Sequence, residues 1–229
     1  MTDNGVAVVD LASSPLDTIS WITQADRNSA SDLAAQGDYL FAVGGHDQQL
    51  RMVNVTDPAS PVITAALDGD FSGVSVRGDY AYFNTTPESF DNWFYVYDIS
   101  DTTDLIARDS CQLTTVPDQH SSHSMLWRNL VVVACEGTGI EVIDISDPDN
   151  VVHRGQYSVA SNVEDVWLDD DFVYVATLSE GFKIFANDLP CCFGMRGNID
   201  ADDEDKVNIS DMTFLTNYLF SGGQEPYCT

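Results

Sequence analysis

A run of acidic and amide side chains near residue 200 has the spacing of a ligand set for a hard metal ion. Asn198, Asp200 and Asp202 stand at every second position, and Asn208 and Asp211 follow three residues apart. Alternate oxygen atoms of a curled loop can converge on one point, and Ca²⁺ takes about six to eight oxygen ligands. The spacing therefore predicts a calcium-binding loop.

An amphipathic helix is predicted directly after this loop. Met212, Leu215, Tyr218 and Leu219 recur at helical spacing and form one apolar stripe. A calcium loop followed by a helix is the second half of an EF-hand-like unit.

The loop and helix resemble a type I dockerin repeat. Val207, Asn208 and Asp211 match the late part of that pattern, and Met212 stands in its leucine position. The resemblance implies calcium as the ligand and a cohesin-like domain as the partner. A full dockerin has two such repeats, whereas this chain carries one, so the resemblance covers half of the family's pattern.

The resemblance leaves two registers for the early ligands. Without an insertion, the first three are Asp200, Asp202 and Glu204. With two inserted residues they are Asn198, Asp200 and Asp202, which we favour because the family has a turn glycine where this chain has aspartates. Lys206 would offer its backbone carbonyl. The candidate ligands are therefore Asn198, Asp200, Asp202, Glu204, Lys206, Asn208 and Asp211.

Five cysteines favour an oxidising, extracellular or cell-surface location. Cys191, Cys192 and Cys228 bracket the acidic segment, and Cys111 and Cys135 are close enough in sequence to pair with each other. Cys228 could instead pair with Cys191 or Cys192, and the odd number leaves one thiol over. Since the first residues lack the features of a secretory signal, we interpret the sequence as a mature or truncated chain.

A second group of residues that could do chemistry lies in the first 188 residues. Aligned internal repeats put Asp32, Gly73, His123 and Asp165 in equivalent positions near the start of a strand, and His120 precedes His123 by three. Two histidines and two carboxylates could hold a transition metal or transfer protons. The interpretation we favour is that they cap strand ends and face water. His46 and His153 are predicted to be solvated in turns.

Internal repeats provide the elements that would position these residues. Similar segments begin near residues 5, 49, 93, 139 and 181, and polar turns containing aspartate follow three of them. Ahead of the last four lies a short turn entering a β-branched and aromatic run, which is typical of a hairpin. About four short strands per repeat of 42 to 46 residues predict the blades of an all-β propeller.

The segments GVAVVD, WFYVYDISD and GIEVIDISDP resemble the LVIVD repeat, whose members form β-propellers in secreted or surface proteins. We therefore predict an all-β propeller of about four four-stranded blades over residues 1–188 and a small calcium-binding module over 189–229. The segment at residue 5 is one strand too many for this count. Either it caps a closed ring, or the arc is open and its edges pair with another copy or with further blades.

The charge balance limits the partners. Nine basic residues against 37 acidic ones give a net charge of −28, which argues against nucleic acid and anionic membranes. No apolar run is long enough to span a bilayer. The acidity is also typical of proteins from saline habitats.

Two functions are compatible with these observations. The one we favour is a non-catalytic secreted or surface calcium-binding protein that mediates protein–protein attachment or self-assembly into an oligomer or polymer. The alternative is an extracellular hydrolase or lyase that acts on a polysaccharide or phosphate ester with Asp32, His120, His123 and Asp165.

Overall fold

The structure is a computed structural model that describes residues 5–23, 30–44, 49–85, 92–114 and 121–187. All regular elements in these ranges are β-strands, so the all-β prediction is confirmed for them. The strands are β1 (Gly5–Asp10), β2 (Asp17–Thr23), β3 (Asp32–Gln36), β4 (Tyr39–Val43), β5 (Gln49–Asn54), β6 (Val62–Asp68), β7 (Phe71–Arg77), β8 (Tyr80–Thr85), β9 (Trp93–Asp98), β10 (Ile106–Gln112), β11 (Ser121–Trp127), β12 (Leu130–Cys135), β13 (Gly139–Asp144), β14 (Val152–Tyr157), β15 (Val163–Leu168), β16 (Phe172–Thr177) and β17 (Gly181–Ala186).

The strands form antiparallel sheets in chain order. Three sheets have four strands, β3–β6, β7–β10 and β11–β14, and we call them the first, second and third four-stranded sheets. Along the chain, they follow a two-stranded sheet, β1–β2, and precede a three-stranded sheet, β15–β17. This arrangement is consistent with a β-propeller.

Within the described residues, three sheets have the four strands that were predicted, and the sheets at both ends have fewer. β2 pairs with β1 in a separate sheet, and the last sheet has three strands within the described residues. The repeat starts near 5, 49, 93, 139 and 181 are the first residues of β1, β5, β9, β13 and β17. The sequence repeat therefore marks the third strand of a blade, and β1–β2 correspond to its outer two strands.

The recurring polar residue at the end of the repeat segment stabilises the turn that follows. The side chains of Asn54, Asp98 and Asp144 each accept a hydrogen bond from the backbone N–H two residues later, at 2.9 to 3.0 Å. Such local bonds favour turns over a continued strand. The motif thus ends each of these strands at a fixed position.

Tight turns join the first and second strands of the four-stranded sheets, as predicted. Gly37, Gly78 and Arg128 begin these turns with φ of 58°, 58° and 50°. Two-residue hairpin turns need positive φ, which glycine adopts without steric cost. They fix the register of the innermost strands, where the candidate site lies.

Apolar side chains pack between neighbouring sheets. One cluster joins the second and third four-stranded sheets and includes Phe94, Val96, Val133 and Ile143. Another joins the third four-stranded sheet to the three-stranded sheet and includes Val132, Ile140, Val142, Val166 and Val175. The third four-stranded sheet therefore buries both of its faces, one against the second four-stranded sheet and the other against the three-stranded sheet.

Candidate functional site

Three of the four predicted channel residues come together on the innermost strands. His123 on β11 lies between two carboxylates: its Nδ1 is 2.7 Å from Oδ1 of Asp165, and its Nε2 is 3.7 Å from Oδ1 of Asp32. These residues come from the third four-stranded, the three-stranded and the first four-stranded sheet. We call them the inner-strand cluster. His120 lies outside the described residues.

Irregular strand pairing helps to aim these side chains. The register shifts between Ser121 and Ser124 in β11 and between Val163 and Asp165 in β15. A β-bulge bends its strand and redirects side chains, and bulges are frequent beside functional sites. The equivalent shift in β7 ends at Gly73. A Cβ there would lie 2.3 Å from Oδ1 of Asn84, so the buried Asn84 excludes larger residues.

Backbone groups hold the two carboxylates. Asp32 Oδ2 accepts a hydrogen bond from Val74 N–H of the neighbouring sheet at 2.9 Å, and its Oδ1 accepts from Leu33 N–H at 2.8 Å. Asp165 Oδ1 accepts from Val166 N–H at 2.8 Å. Burial raises the pKa of Asp32 above its usual value, although the Val74 bond and His123 oppose the increase. Asp32 is thus the sheltered carboxylate of the cluster.

A layer of hydroxyl groups joins the inner strands of the second and third four-stranded sheets. Asn84 Nδ2 donates to Ser72 Oγ and Ser121 Oγ, both at 3.0 Å. Ser75 Oγ donates to the backbone carbonyl of Ser124 at 3.0 Å. Small side chains that bond across the two sheets let these strands lie close together.

The inner-strand cluster can orient an imidazole and exchange a proton with a ligand that reaches it. The two carboxylates lie on either side of the His123 ring, one beside each of its nitrogens. Within the described residues, no three His, Cys, Asp or Glu side chains are arranged to hold a metal ion.

Sequence reasoning missed a second polar pair. His153 lies on β14 with its Nε2 2.6 Å from Oε2 of Glu141, so the prediction of a solvated turn residue is wrong. Glu141 is fully buried, and both its carboxylate oxygens accept from Thr114 N–H at 3.2 Å. The pair links the third four-stranded sheet to the end of β10. A glutamate alternating with apolar residues in GIEVID was the available signal.

Cys111 and Cys135 are free thiols in the structure, in place of the disulfide that the sequence allowed between them. Burial raises the pKa of Cys111 to about 12, and burial also raises the pKa of Cys135. Such thiols react slowly, since the thiolate is the nucleophile.

The other candidate disulfide cysteines and the candidate calcium ligands lie outside the described residues. They are Cys191, Cys192, Asn198, Asp200, Asp202, Glu204, Lys206, Asn208, Asp211 and Cys228. They stay predictions.

One face of the three-stranded sheet, which we call the trailing surface, carries the exposed side chains of Trp167, Phe172, Phe182 and Ile184 and the half-buried ring of Tyr174. Tyr174 is the ring at its centre, 5.3 Å from Trp167 and 6.0 Å from Phe182 between ring centroids. Phe182 is 64% exposed, whereas Ile140, at the same position of the repeat segment, is 6% exposed. Positions that are buried in the preceding sheet are therefore open to solvent here.

The two-stranded sheet has a matching surface, which we call the leading surface: Val9, Ile19 and Trp21. Val9 is 38% exposed, whereas Ile143, at the same position of the repeat segment, is fully buried. In the third four-stranded sheet this position faces the preceding sheet. The leading surface thus corresponds to the side of a sheet that packs on the preceding sheet, whereas the trailing surface corresponds to the side that packs on the following sheet.

The described part of the chain contains no helix long and apolar enough to cross a bilayer.

Comparison with known families gives one match. The family described as LVIVD repeat matches residues 28–67, 68–112, 129–159 and 160–185, which together are more than half of the chain. This agrees with the repeat proposed from the sequence. No curated protein matches the chain.

Several solved structures share the fold at low sequence identity. A protein from Lactobacillus plantarum has a TM-score of 0.60 at 15% identity, over 81% of this chain and 63% of its own. A functionally unknown protein from Desulfotomaculum acetoxidans has a TM-score of 0.59 at 14% identity, over 76% and 56%. The computationally designed Ika4 protein has a TM-score of 0.53 at 13% identity, over 71% and 94%. The chain thus spans less than two thirds of either natural structure.

Proposed function

Because this chain belongs to the LVIVD repeat family, and a fold does not by itself specify a chemistry, we propose its function from its surfaces: a non-catalytic, secreted or cell-surface calcium-binding protein that mediates protein–protein attachment. The sheets form a rigid platform. The leading and trailing surfaces supply the contacts, and the segment over 189–229 supplies a dockerin-like calcium-dependent element.

The observation that carries this proposal is the placement of exposed apolar side chains. Among the described residues, large exposed hydrophobic side chains are most numerous on the three-stranded sheet, and they also occur on the two-stranded sheet and, as Leu33, Val62 and Ile63, on the first four-stranded sheet. In the described parts of the second and third four-stranded sheets, they are Ile106 and Tyr157. Contiguous exposed apolar surface is typical of an interaction site. A catalytic role does not require it.

Calcium enters the proposal through the acidic segment. The alternate oxygen side chains of Asp200, Asp202 and Asp211 would otherwise repel each other, and a bound cation offsets that repulsion. Extracellular calcium modules bind with Kd on the order of 10⁻⁴ to 10⁻³ M, which suits a site filled outside cells. The partner is a cohesin-like domain or another copy of this chain.

The proposal is tested by attachment of the full chain to an immobilised cohesin-like domain and to immobilised chain, with calcium and with a chelator. We expect attachment to fall when calcium is removed and when Asp200 and Asp202 are both changed to asparagine. Trp21→Asp combined with Phe182→Asp should also reduce it, whereas Ile106→Asp, an exposed residue of the second four-stranded sheet, should not. The proposal would be contradicted if attachment were the same with calcium and with chelator and were unchanged in the Trp21→Asp, Phe182→Asp double variant.

One observation favours a second candidate function, an extracellular hydrolase or lyase. Nδ1 of His123 lies 2.7 Å from Oδ1 of Asp165, which places an imidazole beside a carboxylate, the two groups that general acid–base catalysis often combines. His123→Ala should then abolish activity on a polysaccharide or phosphate ester at unchanged thermal stability. Full activity of that variant, on whichever substrate the protein hydrolyses or cleaves, would exclude this site.

A further inference from the structure

We infer that copies of this chain associate head to tail, with the trailing surface of one copy packed on the leading surface of the next. This inference rests on the proposed attachment function and names its partner as a second copy. The contact is heterologous, because it joins two different surfaces. Such contacts form rings when the rotation closes and filaments when it does not.

The packing inside the molecule is the template for this contact. Ile140 and Val142 occupy the second and fourth positions of the repeat segment GIEVID and pack against the three-stranded sheet. The same two positions of β17 are Phe182 and Ile184, and they belong to the trailing surface. The trailing surface is therefore built to receive one more sheet.

The leading surface is the matching half. Ile143, at the fifth position of its segment, packs against the preceding sheet together with residues of β12. The same position of β1 is Val9, which is exposed beside Ile19 and Trp21. One copy thus has two uncovered faces. The trailing surface corresponds to a face that is elsewhere covered by the following sheet, and the leading surface to a face that is elsewhere covered by the preceding sheet.

A second copy is the occupant that supplies both faces at once. In a ring closed within one chain, the leading and trailing surfaces would cover each other, yet both are exposed. A contact between copies continues the sheet-on-sheet packing that already joins the third four-stranded sheet to the three-stranded sheet. The contact between copies would therefore be of the same type as the contacts between sheets within the molecule.

Net charge sets the conditions under which copies meet. Each carries −28, so copies repel one another at low ionic strength, where the Debye length is long. The two apolar surfaces gain their contact energy from burial, which salt does not screen. We therefore expect association to strengthen as salt or calcium is added.

The test is a mixing experiment with the full chain. Trp21→Asp disables the leading surface, Phe182→Asp disables the trailing surface, and Ile106→Asp is the control with an equally exposed apolar residue elsewhere. Analytical ultracentrifugation at high salt should show chains or rings for the wild type and for the control. Each single-surface variant should lose at least about tenfold in association constant and run as a monomer.

An equimolar mixture of the two variants gives the decisive result. Each retains the surface that the other lacks, so the mixture should form one-to-one dimers and nothing larger. Circular dichroism verifies that both variants fold. Dimers of a single variant, or a mixture that stays monomeric beside an associating wild type, would overturn the head-to-tail arrangement.

Two further outcomes separate this inference from the function on which it rests. If the wild type is monomeric and Phe182→Asp lowers its thermal stability, the trailing surface is covered by the same chain and the inference fails. If the chain does not self-associate but both variants weaken attachment to the cohesin-like domain, the inference fails while the proposed function stands. If neither variant changes any contact, both fail.

Discussion

The third four-stranded sheet and the three-stranded sheet are built on the same repeat, yet they differ in what covers them. Both place apolar residues at alternating positions of their third strands, GIEVID and GFKIFA. β13 is buried along its whole length, whereas β17 is half-buried or exposed throughout. The residue pattern makes one face of a sheet apolar, so that burial of this face is favourable. The face is buried only where a neighbouring sheet packs on it.

The tryptophans show the same difference. Their recurrence in different blades suggests inter-blade packing, and Trp127 does pack against the apolar cluster between the last two sheets. Trp21 and Trp167, on the two-stranded and three-stranded sheets, are largely exposed. These three tryptophans thus differ in burial according to the sheet that carries them.

Removing a ring from each region should give the largest contrast. Phe94→Ala in the second four-stranded sheet leaves a cavity at a fully buried position, and we expect a loss of about 3–5 kcal/mol in the free energy of unfolding. Trp167→Ala on the trailing surface should cost less than about 1.5 kcal/mol, since the ring is already solvated. Urea unfolding of dilute protein measures both, and equal losses would break the comparison.

The thiols of Cys111, which is half-buried, and Cys135, which is buried, report on the packing between the second and third four-stranded sheets. A pKa of Cys111 raised from 9.0 to about 12 reduces its thiolate fraction, and hence its alkylation rate near neutral pH, by roughly 10³-fold. Cys135 should be protected as well, because burial raises its pKa too. Mass spectrometry of labelled peptides, with urea-unfolded protein as control, measures the rates. Rapid native labelling would show that this interface opens.

Deleting the imidazole of His153 tests the buried charge in the same interface. His153→Ala leaves the carboxylate of Glu141 with only Thr114 N–H among its described partners, and we expect a loss of about 2–3 kcal/mol. The matched control is Arg108→Ala, which breaks the solvent-accessible pairs with Asp149 at 2.8 Å and Asp98 at 3.8 Å and should cost clearly less than His153→Ala. Chemical denaturation measures the free energy of unfolding of both variants. Similar decreases would mean that burial does not increase the contribution of the pair of His153 and Glu141 to stability.

The smallest expected effect concerns Asp32 in the inner-strand cluster. Its folded-state pKa is raised by burial, so its stabilising effect is fully present below the unfolded value of 3.8 and is lost as pH rises through the folded value. Asp32→Asn should therefore be slightly more stable than the wild type at neutral pH, by less than about 1 kcal/mol, because asparagine still offers an oxygen to Val74 N–H. The gain should vanish below pH 3.8. Denaturation midpoints across pH measure it, and a gain that grows in acid would reverse the sign.

Much of the candidate site was predictable because it follows from the repeat. Aligning the repeats placed Asp32, His123 and Asp165 at equivalent strand starts, and the innermost strands do bring them together. The alignment could not show that His123 lies between two carboxylates, because that depends on bulges and on how three sheets meet. Glu141 and His153 were missed since their partnership crosses between strands and does not recur.

The sequence by itself determined where the strands begin, where their turns lie and which positions are apolar, because these depend on local backbone preferences and on the two-residue period of a strand. The tertiary structure decided which of those positions are covered. Burial is a property of two sheets in contact, so Ile140 and Phe182 can hold the same place in the repeat and still differ in exposure.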